Sequence, residues 1–260
     1  MSAAGITIST FSFVFICFMA FLAGFVDASA GGGGIITIPA YLFIGLPPHI
    51  ALGTNKLSSC CGTLFAVISF WRGKAVNMRS ALYAAAGSFV GSALGARTAL
   101  MLDSGTLRTM LFILLPCAAA VIFFNRRLGE SESTVALSSL KFALLSFTIG
   151  LLIGGYDGLV GPGTGTFAII AFSLLMHFDL RTASGNAKIL NLVSNVTSVV
   201  TFAAAGTIAY SIALPAGLCG IAGNCLGAHC ALKGGARFIR PMLLVVLALL
   251  MIKLLTEALR

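Results

Sequence analysis

Charge is the first thing this sequence is short of. Asp, Glu, Lys and Arg together make up 9% of its 260 residues, where a water-soluble domain carries about 25%. A solvated surface cannot be built from so few ionisable groups, which excludes an ordinary soluble enzyme or binding module. Proline is scarce at 7 residues, and the apolar stretches lack the two-residue alternation of a membrane-spanning barrel. That leaves helices, which satisfy their own backbone amides inside a bilayer. No Lys or Arg precedes Lys56, so the start of the chain lacks the basic region of a signal peptide and no cleavage is expected. Metal-ligand spacing is missing too. The 7 cysteines are scattered through apolar segments, and Cys225, His229 and Cys230 have no second ligand pair to complete a site. Small-residue packing accounts for them, and no metal or cofactor is expected.

What the sequence has is hydrophobicity. It reaches 58% of residues, with a mean hydropathy of +1.05, and it comes in runs. Reading for runs and breakers gives ten apolar segments: 9–26, 35–45, 50–71, 80–101, 107–124, 140–156, 164–176, 183–204, 210–232 and 241–255. Several reach the roughly 20 residues a helix needs to cross an apolar core of about 30 Å. The expected fold is therefore all-α, a polytopic protein in a lipid bilayer, with residues 1–260 as one transmembrane domain. Lys and Arg outnumber Asp and Glu, 16 to 7, for a net charge of +9. The basic residues fall in short connections and not in a patch interleaved with aromatics, so nucleic acid is not the expected partner. Topology explains them, and an anionic lipid surface or an anionic substrate is the next reading.

The most charged connection, around Arg126, Arg127, Glu130, Glu132 and Lys141, divides five segments from five. The two sides resemble each other. FVDASAGGGG from Phe25 lies over GYDGLVGPGT from Gly155, matching Asp27 with Asp157, Gly31 with Gly161 and Gly33 with Gly163. ALGTNKL from Ala51 lies over ASGNAKI from Ala183, matching Gly53 with Gly185 and Lys56 with Lys188. This ordered series reads as an internal duplication, with repeats at about 9–125 and 140–258 and a linker at 126–139. An odd number of segments per repeat would turn the second copy over, and loop charge tests that. Arg72, Lys74 and Arg79 follow the third segment, whereas its counterpart at 205–209 is uncharged. The next pair reverses: Asp103 stands alone in the first loop, and Lys233, Arg237 and Arg240 crowd the second. Equivalent loops of opposite charge bias are expected of inverted repeats. The pattern places loops 72–79, 125–139 and 233–240 in the cytoplasm and both termini outside.

In each half the second segment is short and follows a glycine-rich break: Gly31, Gly32, Gly33 and Gly34 in one, Gly158, Gly161, Gly163 and Gly165 around Pro162 in the other. Eleven helical residues extend only about 16 Å, half of the apolar core. Paired broken or re-entrant helices at the repeat interface point to a transporter's binding site, because they expose backbone amides and helix ends at mid-membrane. Close helix packing is the alternative use of such glycines.

Lys56 and Lys188 follow Gly53, Thr54, Asn55 and Ser184, Gly185, Asn186 near the starts of long segments. A Lys at the centre of a membrane helix costs about 2.5 to 3.5 kcal/mol, while one near an end can snorkel to the headgroups. The alternative to snorkelling is an anion cradle made with the glycine breaks. Asp27 and Asp157 end their segments, at the unfavourable negative pole of a helix. A salt bridge to a lysine, a coupling ion, or exposure in a loop could compensate. Lys188, Asn191, Asn195 and Ser198 share one helix face, which either bonds a neighbouring helix or lines a wet path.

On these residues the sequence resembles the sulfite exporter TauE/SafE family, in particular its bacterial branch of probable transporters with no assigned substrate. The resemblance covers nearly the whole chain. It rests on FVDASAGGGGIITIPAYLFIGLPPHIALGTNKL from Phe25, YDGLVGPGTGTF from Tyr156, AKILNLVSN from Ala187 and IRPMLLVV from Ile239. It implies a multi-pass inner-membrane protein that moves small, often sulfur-containing, anions. The expected function is a permease or exporter for such an anion by alternating access. Its substrate site draws on Gly31, Gly32, Gly33, Gly34, Thr54, Asn55, Lys56, Gly161, Gly163, Asn186, Lys188 and Asn191. Asp27 and Asp157 serve there as coupling groups or a structural ion pair. Thr164 and Gly165 replace Gly34 and Ile35 of the first copy, so the two half-sites should differ. A passive anion channel is the alternative, and an intramembrane enzyme using Asp157 a more distant one, since the companion GxGD sequence is absent.

Overall fold

The computed structural model describes residues 9–106, 109, 138–239, 241 and 242. Every regular element among them is an α-helix: α1 (Thr10–Ala30), α2 (Gly34–Phe43), α3 (Pro48–Arg72), α4 (Met78–Met101), α5 (Ser139–Leu159), α6 (Thr164–Leu175), α7 (Leu180–Ala204) and α8 (Tyr210–Gly234). The expected segment at 107–124, nearly all of the linker 126–139 and most of the segment at 241–255 lie outside the described residues. By length and composition, α1, α5, α7 and α8 are apolar and long enough to cross a bilayer. At 25 and 24 residues, α3 and α4 match them in length with a more polar make-up.

Several helices begin before their apolar runs because polar or cyclic residues start them. Pro48 opens α3 at the first helical position, where its missing N–H costs nothing. Asp179 caps α7, its Oδ1 accepting from Arg181 N at 2.9 Å and Thr182 N at 3.1 Å. With these earlier starts Lys56 and Lys188 stand about 12 Å from the beginnings of their helices, in the third turn. At its other end α1 runs past the expected limit to Ala30, and Gly31 stops it by turning left-handed at φ 80° and donating to Asp27 O at 2.8 Å.

The molecule is turned out relative to a soluble protein. Large apolar side chains such as Phe89 (57% exposed) and Leu218 (70%) face outward, while Asn55, Lys56, Asp157, Asn186, Lys188 and Asn195 are buried. Between apolar helices in lipid there is no hydrophobic drive to associate, so close contact must supply the attraction. Small residues allow it. Gly87, Gly91 and Gly95 of α4 sit on the backbone of α5 so closely that a methyl on any of them would stand 2.1 Å from the carbonyl oxygens of Phe147, Leu151 and Gly155 respectively. On α8, Gly223 and Gly227 press in the same way on Phe21 O and Phe25 O of α1. Both helix pairs are parallel, since contact partners advance together along the chain.

Contacts recur when the two halves are exchanged. Thr54 Oγ1 accepts from Ala209 N, the start of α8, at 3.0 Å, and Asn186 Oδ1 accepts from Asn77 N, the start of α4, at 2.9 Å. Gly53 abuts Thr207 O, and Gly185 abuts Ala75 O. Thus the start of α3 meets the end of α7 and the start of α7 meets the end of α3, so these two helices run in opposite directions.

The bundle has one basic end. Arg72, Lys74 and Arg79 of the α3–α4 connection lie there, with Gly73 against Leu232 and Arg79 5.5 Å from the ring centre of Phe142, beside Lys141 at the start of α5. Arg181 donates to Leu232 O, one residue before Lys233. At the opposite end His49 Nε2 is 3.0 Å from Leu102 O, and the charges near it are Asp103 and, a turn back along α4, Arg97.

Candidate functional site

Two ion pairs cross between the halves. Lys56 Nζ of α3 lies 2.8 Å from Asp157 Oδ2 of α5, and Lys188 Nζ of α7 lies 2.7 Å from Asp27 Oδ2 of α1. Lys56 is 2% exposed and Lys188 0%, which removes snorkelling for both. Exposure of the aspartates in a loop is removed as well, since Asp27 lies in the last turns of α1 and Asp157 in those of α5. The lysines cancel the carboxylates that would otherwise face the negative ends of these helices. Together the four groups bring no net charge into the membrane interior.

The glycine breaks bring the starts of the two short helices to these pairs. A methyl on Gly31 would stand 2.1 Å from the carbonyl carbon of Gly165, and one on Gly34 3.3 Å from Pro162 Cα. Gly31 and Gly161 also hold φ values of 80° and 92°, which L side chains rarely adopt. Thr166 Oγ1 donates to Ala30 O at 2.6 Å, fastening the first turn of α6 to the end of α1. Asp27 Oδ1 receives Gly33 N at 3.4 Å, which draws the residue before α2 to the carboxylate.

Between the pairs is a narrow polar cavity of about 260 Å³ of space between atoms, its opening included. Asp27, Lys56 and Asp157 line it, with Gly31, Gly34 and Gly161 from the breaks and Asn55, Asn191 and Asn195 from α3 and α7. The amides are oriented. Asn55 Oδ1 receives Thr37 Oγ1 at 2.5 Å and Ser59 Oγ at 3.4 Å, which leaves its N–H groups for the cavity. Asn195 Nδ2 donates to Asn191 Oδ1 at 3.1 Å, freeing the Asn191 amide N–H groups. Donors of this kind, beside a lysine and two helix N-termini, suit an anion. A second cavity of about 280 Å³ adjoins at Asp27 and Ser59 and is walled by Ala20, Gly24, Ala216 and Asn224.

The pattern of the sulfite exporter TauE/SafE family matches residues 16–254. The chain belongs to this family. It is 38% identical over 226 residues to a probable membrane transporter protein of Haemophilus influenzae, covering 87% of this chain and 88% of the relative. It is 36% identical over 241 residues to the probable membrane transporter protein YfcA of Escherichia coli K12, covering 93% and 88%. To the probable membrane transporter protein ORF9 of a Sinorhizobium species it is 37% identical over 246 residues, covering 95% and 92%. No solved structure matches it significantly. This TauE/SafE member is thus a multi-pass, all-helical membrane protein of the transporter class.

Within this TauE/SafE chain the expected site residues divide. Gly31, Gly34, Asn55, Lys56, Gly161 and Asn191 line the cavity, and Lys188 reaches it through Asp27. Four do not, and each has another task. Thr54 and Asn186 hold the starts of α8 and α4. Gly32 gives its carbonyl to Ile35 N at 3.1 Å. Gly163 precedes α6 at φ 81°, where a methyl would meet only the Phe167 ring. Gly33 lines the adjoining cavity. Thr37, isolated in an apolar run and so without a signal in the sequence, orients Asn55. Ser59, Thr164 and Gly165 join the lining beyond the expected residues. The polar face of α7 turns inward as its spacing indicates, and Ser194 and Ser198 are buried there with no partner among the described residues. Among those residues no three His, Cys, Asp or Glu side chains gather as a metal site would need.

Proposed function

We propose that this protein is a permease or exporter for a small, sulfur-containing anion, working by alternating access between two inverted halves. The observation that carries this reading is the pair of buried lysine–aspartate contacts crossing between the halves at a cavity where two short helices begin. Half-length helices whose N-termini meet at mid-membrane are the usual builders of carrier sites, and their dipoles favour negative charge. The opposed directions of α3 and α7, and contacts that recur on exchange of the halves, support inversion. A structure whose two halves can each adopt the other's packing can open to either side in turn. The family's description as sulfite exporters agrees with such a cargo, and its relatives' names as probable membrane transporters agree with carriage across a membrane. Asp157 has a lysine for its partner and not a second aspartate, which is unlike the paired carboxylates of an aspartyl enzyme.

The basic end faces the cytoplasm in this reading, with loops 72–79, 125–139 and 233–240 there and both termini outside the inner membrane. Binding is tested by thermal denaturation of the purified full chain with sulfite, sulfate, methanesulfonate and formate. At least one anion should stabilise the wild type, by about 2.7 kcal/mol at 100 times its Kd. That stabilisation should vanish in K56Q/D157N, which keeps the buried charge balanced. Equal stabilisation of both proteins would refute the site.

A further inference from the structure

Asp27 and Asp157 hold equivalent positions, but their oxygens are used differently. Asp27 accepts from Lys188 Nζ at 2.7 Å and from Gly33 N at 3.4 Å, so it ties α1, α2 and α7 together. Asp157 Oδ2 lies 2.8 Å from Lys56 Nζ, and this ion pair is the one polar contact of the Asp157 side chain among the described residues. Its side chain is 3% exposed. The charged groups around it are Lys56 from α3 and, across the cavity, Asp27 from α1, with Lys188 of α7 engaged by Asp27. Tyr156 is adjacent, but its hydroxyl donates to Pro162 O at 2.7 Å. From α4 and α6 the residues beside it are Ser92 and Thr164, neither of which titrates.

We propose that Asp157 is the coupling carboxylate: it yields Lys56 to the entering anion and takes up a proton, so one proton accompanies each monovalent anion carried. The inference rests on the carrier reading above. The empty site sums to zero, with two lysines against two aspartates. A monovalent anion entering a water-poor cavity adds a negative charge that nothing in the protein cancels, and burying it uncompensated is prohibitive. A proton on Asp157 restores the balance. Asp157 is the group to give way, because the ion pair with Lys56 is its one polar side-chain contact among the described residues, whereas Asp27 holds both Lys188 and the Gly33 N–H and so ties α7 and α2 to α1. The vacated ammonium faces the Asn55 amide and Gly161, where an oxyanion finds further donors. The proton comes from water on the loading side and forms the O–H of Asp157. When the anion departs on the other side, that proton returns to water and the carboxylate returns to Lys56. No electron transfer is involved.

Proton uptake linked to anion binding makes affinity rise as pH falls, by up to about tenfold per pH unit for one proton. The test measures Kd between pH 6 and 8 for wild type and D157N with sulfate, methanesulfonate, sulfite and formate. Comparing the two proteins on the same anion cancels the anion's own protonation. The wild type should show the steeper dependence, approaching that tenfold slope beyond D157N, and coincident slopes would overturn the assignment. If D157N does not purify, a pH dye in weak buffer should report about one proton taken up per methanesulfonate bound by the wild type. Binding without uptake would equally overturn it. Absence of binding by all four anions would instead refute the carrier reading on which the inference stands.

Discussion

Lys188 has no exposed surface and, among the described residues, a single carboxylate, Asp27, to balance it. Removing one member of such a pair strands the other in low dielectric, a loss of about 3 to 5 kcal/mol, while removing both is far less harmful. K188A should therefore lower the stability of the purified protein by that amount, and K188A/D27A should recover part of it. A denaturation series in which the double variant is no more stable than K188A would show that the pair is not a closed electrostatic unit. The four charged residues are visible in the sequence because ionisable groups stand out in apolar runs. Their partnership is not. Lys188 and Asp27 are 161 residues apart, and only the packing of one half on the other reveals that each lysine takes the opposite half's aspartate. The roles of Thr54 and Asn186 follow from helix geometry: each stands two residues before its lysine, about 200° around the helix, and so meets a neighbouring segment and not the cavity.

Glycine decides how the long helices pack. Gly91 stands against Leu151 O and Gly223 against Phe21 O with no room for a methyl. G91A or G223A must push a helix outward, at a cost of about 1 to 3 kcal/mol. A matching fall in detergent denaturation stability is the expected result, and unchanged stability in both would contradict the close-packed interface. The sequence held two uses of glycine open, breaks and packing, and the structure employs both in different elements. Breaks at Gly31 and Gly161 free the starts of α2 and α6, while the spaced glycines of α4 and α8 bring backbones together. Which use applies was legible for the clustered glycines and obscure for the spaced ones, whose partners are on distant helices. Helix starts were misplaced where capping did the work: Pro48 and Asp179 lie outside any apolar run, and missing them set the lysines too close to their helix ends.

At the scale of the whole molecule the charge asymmetry has a direct consequence. Arg72, Lys74, Arg79, Lys141, Arg181, Lys233 and Arg237 share one end of the bundle, which the proposed topology sets in the cytoplasm by the positive-inside rule. Single cysteines introduced at Lys74 and Arg237 of a cysteine-free version should react only with membrane-permeant reagents in intact cells, and one at Thr207 also with impermeant ones. Labelling of Lys74 and Thr207 positions from the same side would contradict inversion. Loop charge alone gives this expected orientation, and the labelling tests it. Anion uptake into proteoliposomes of the full chain is the most direct measurement of the function itself, made with labelled sulfite, sulfate, methanesulfonate and formate. The account predicts saturable uptake of at least one of them, about tenfold or more above protein-free vesicles, and its loss in K56Q/D157N. Uptake of none, or undiminished uptake by that variant, would contradict it.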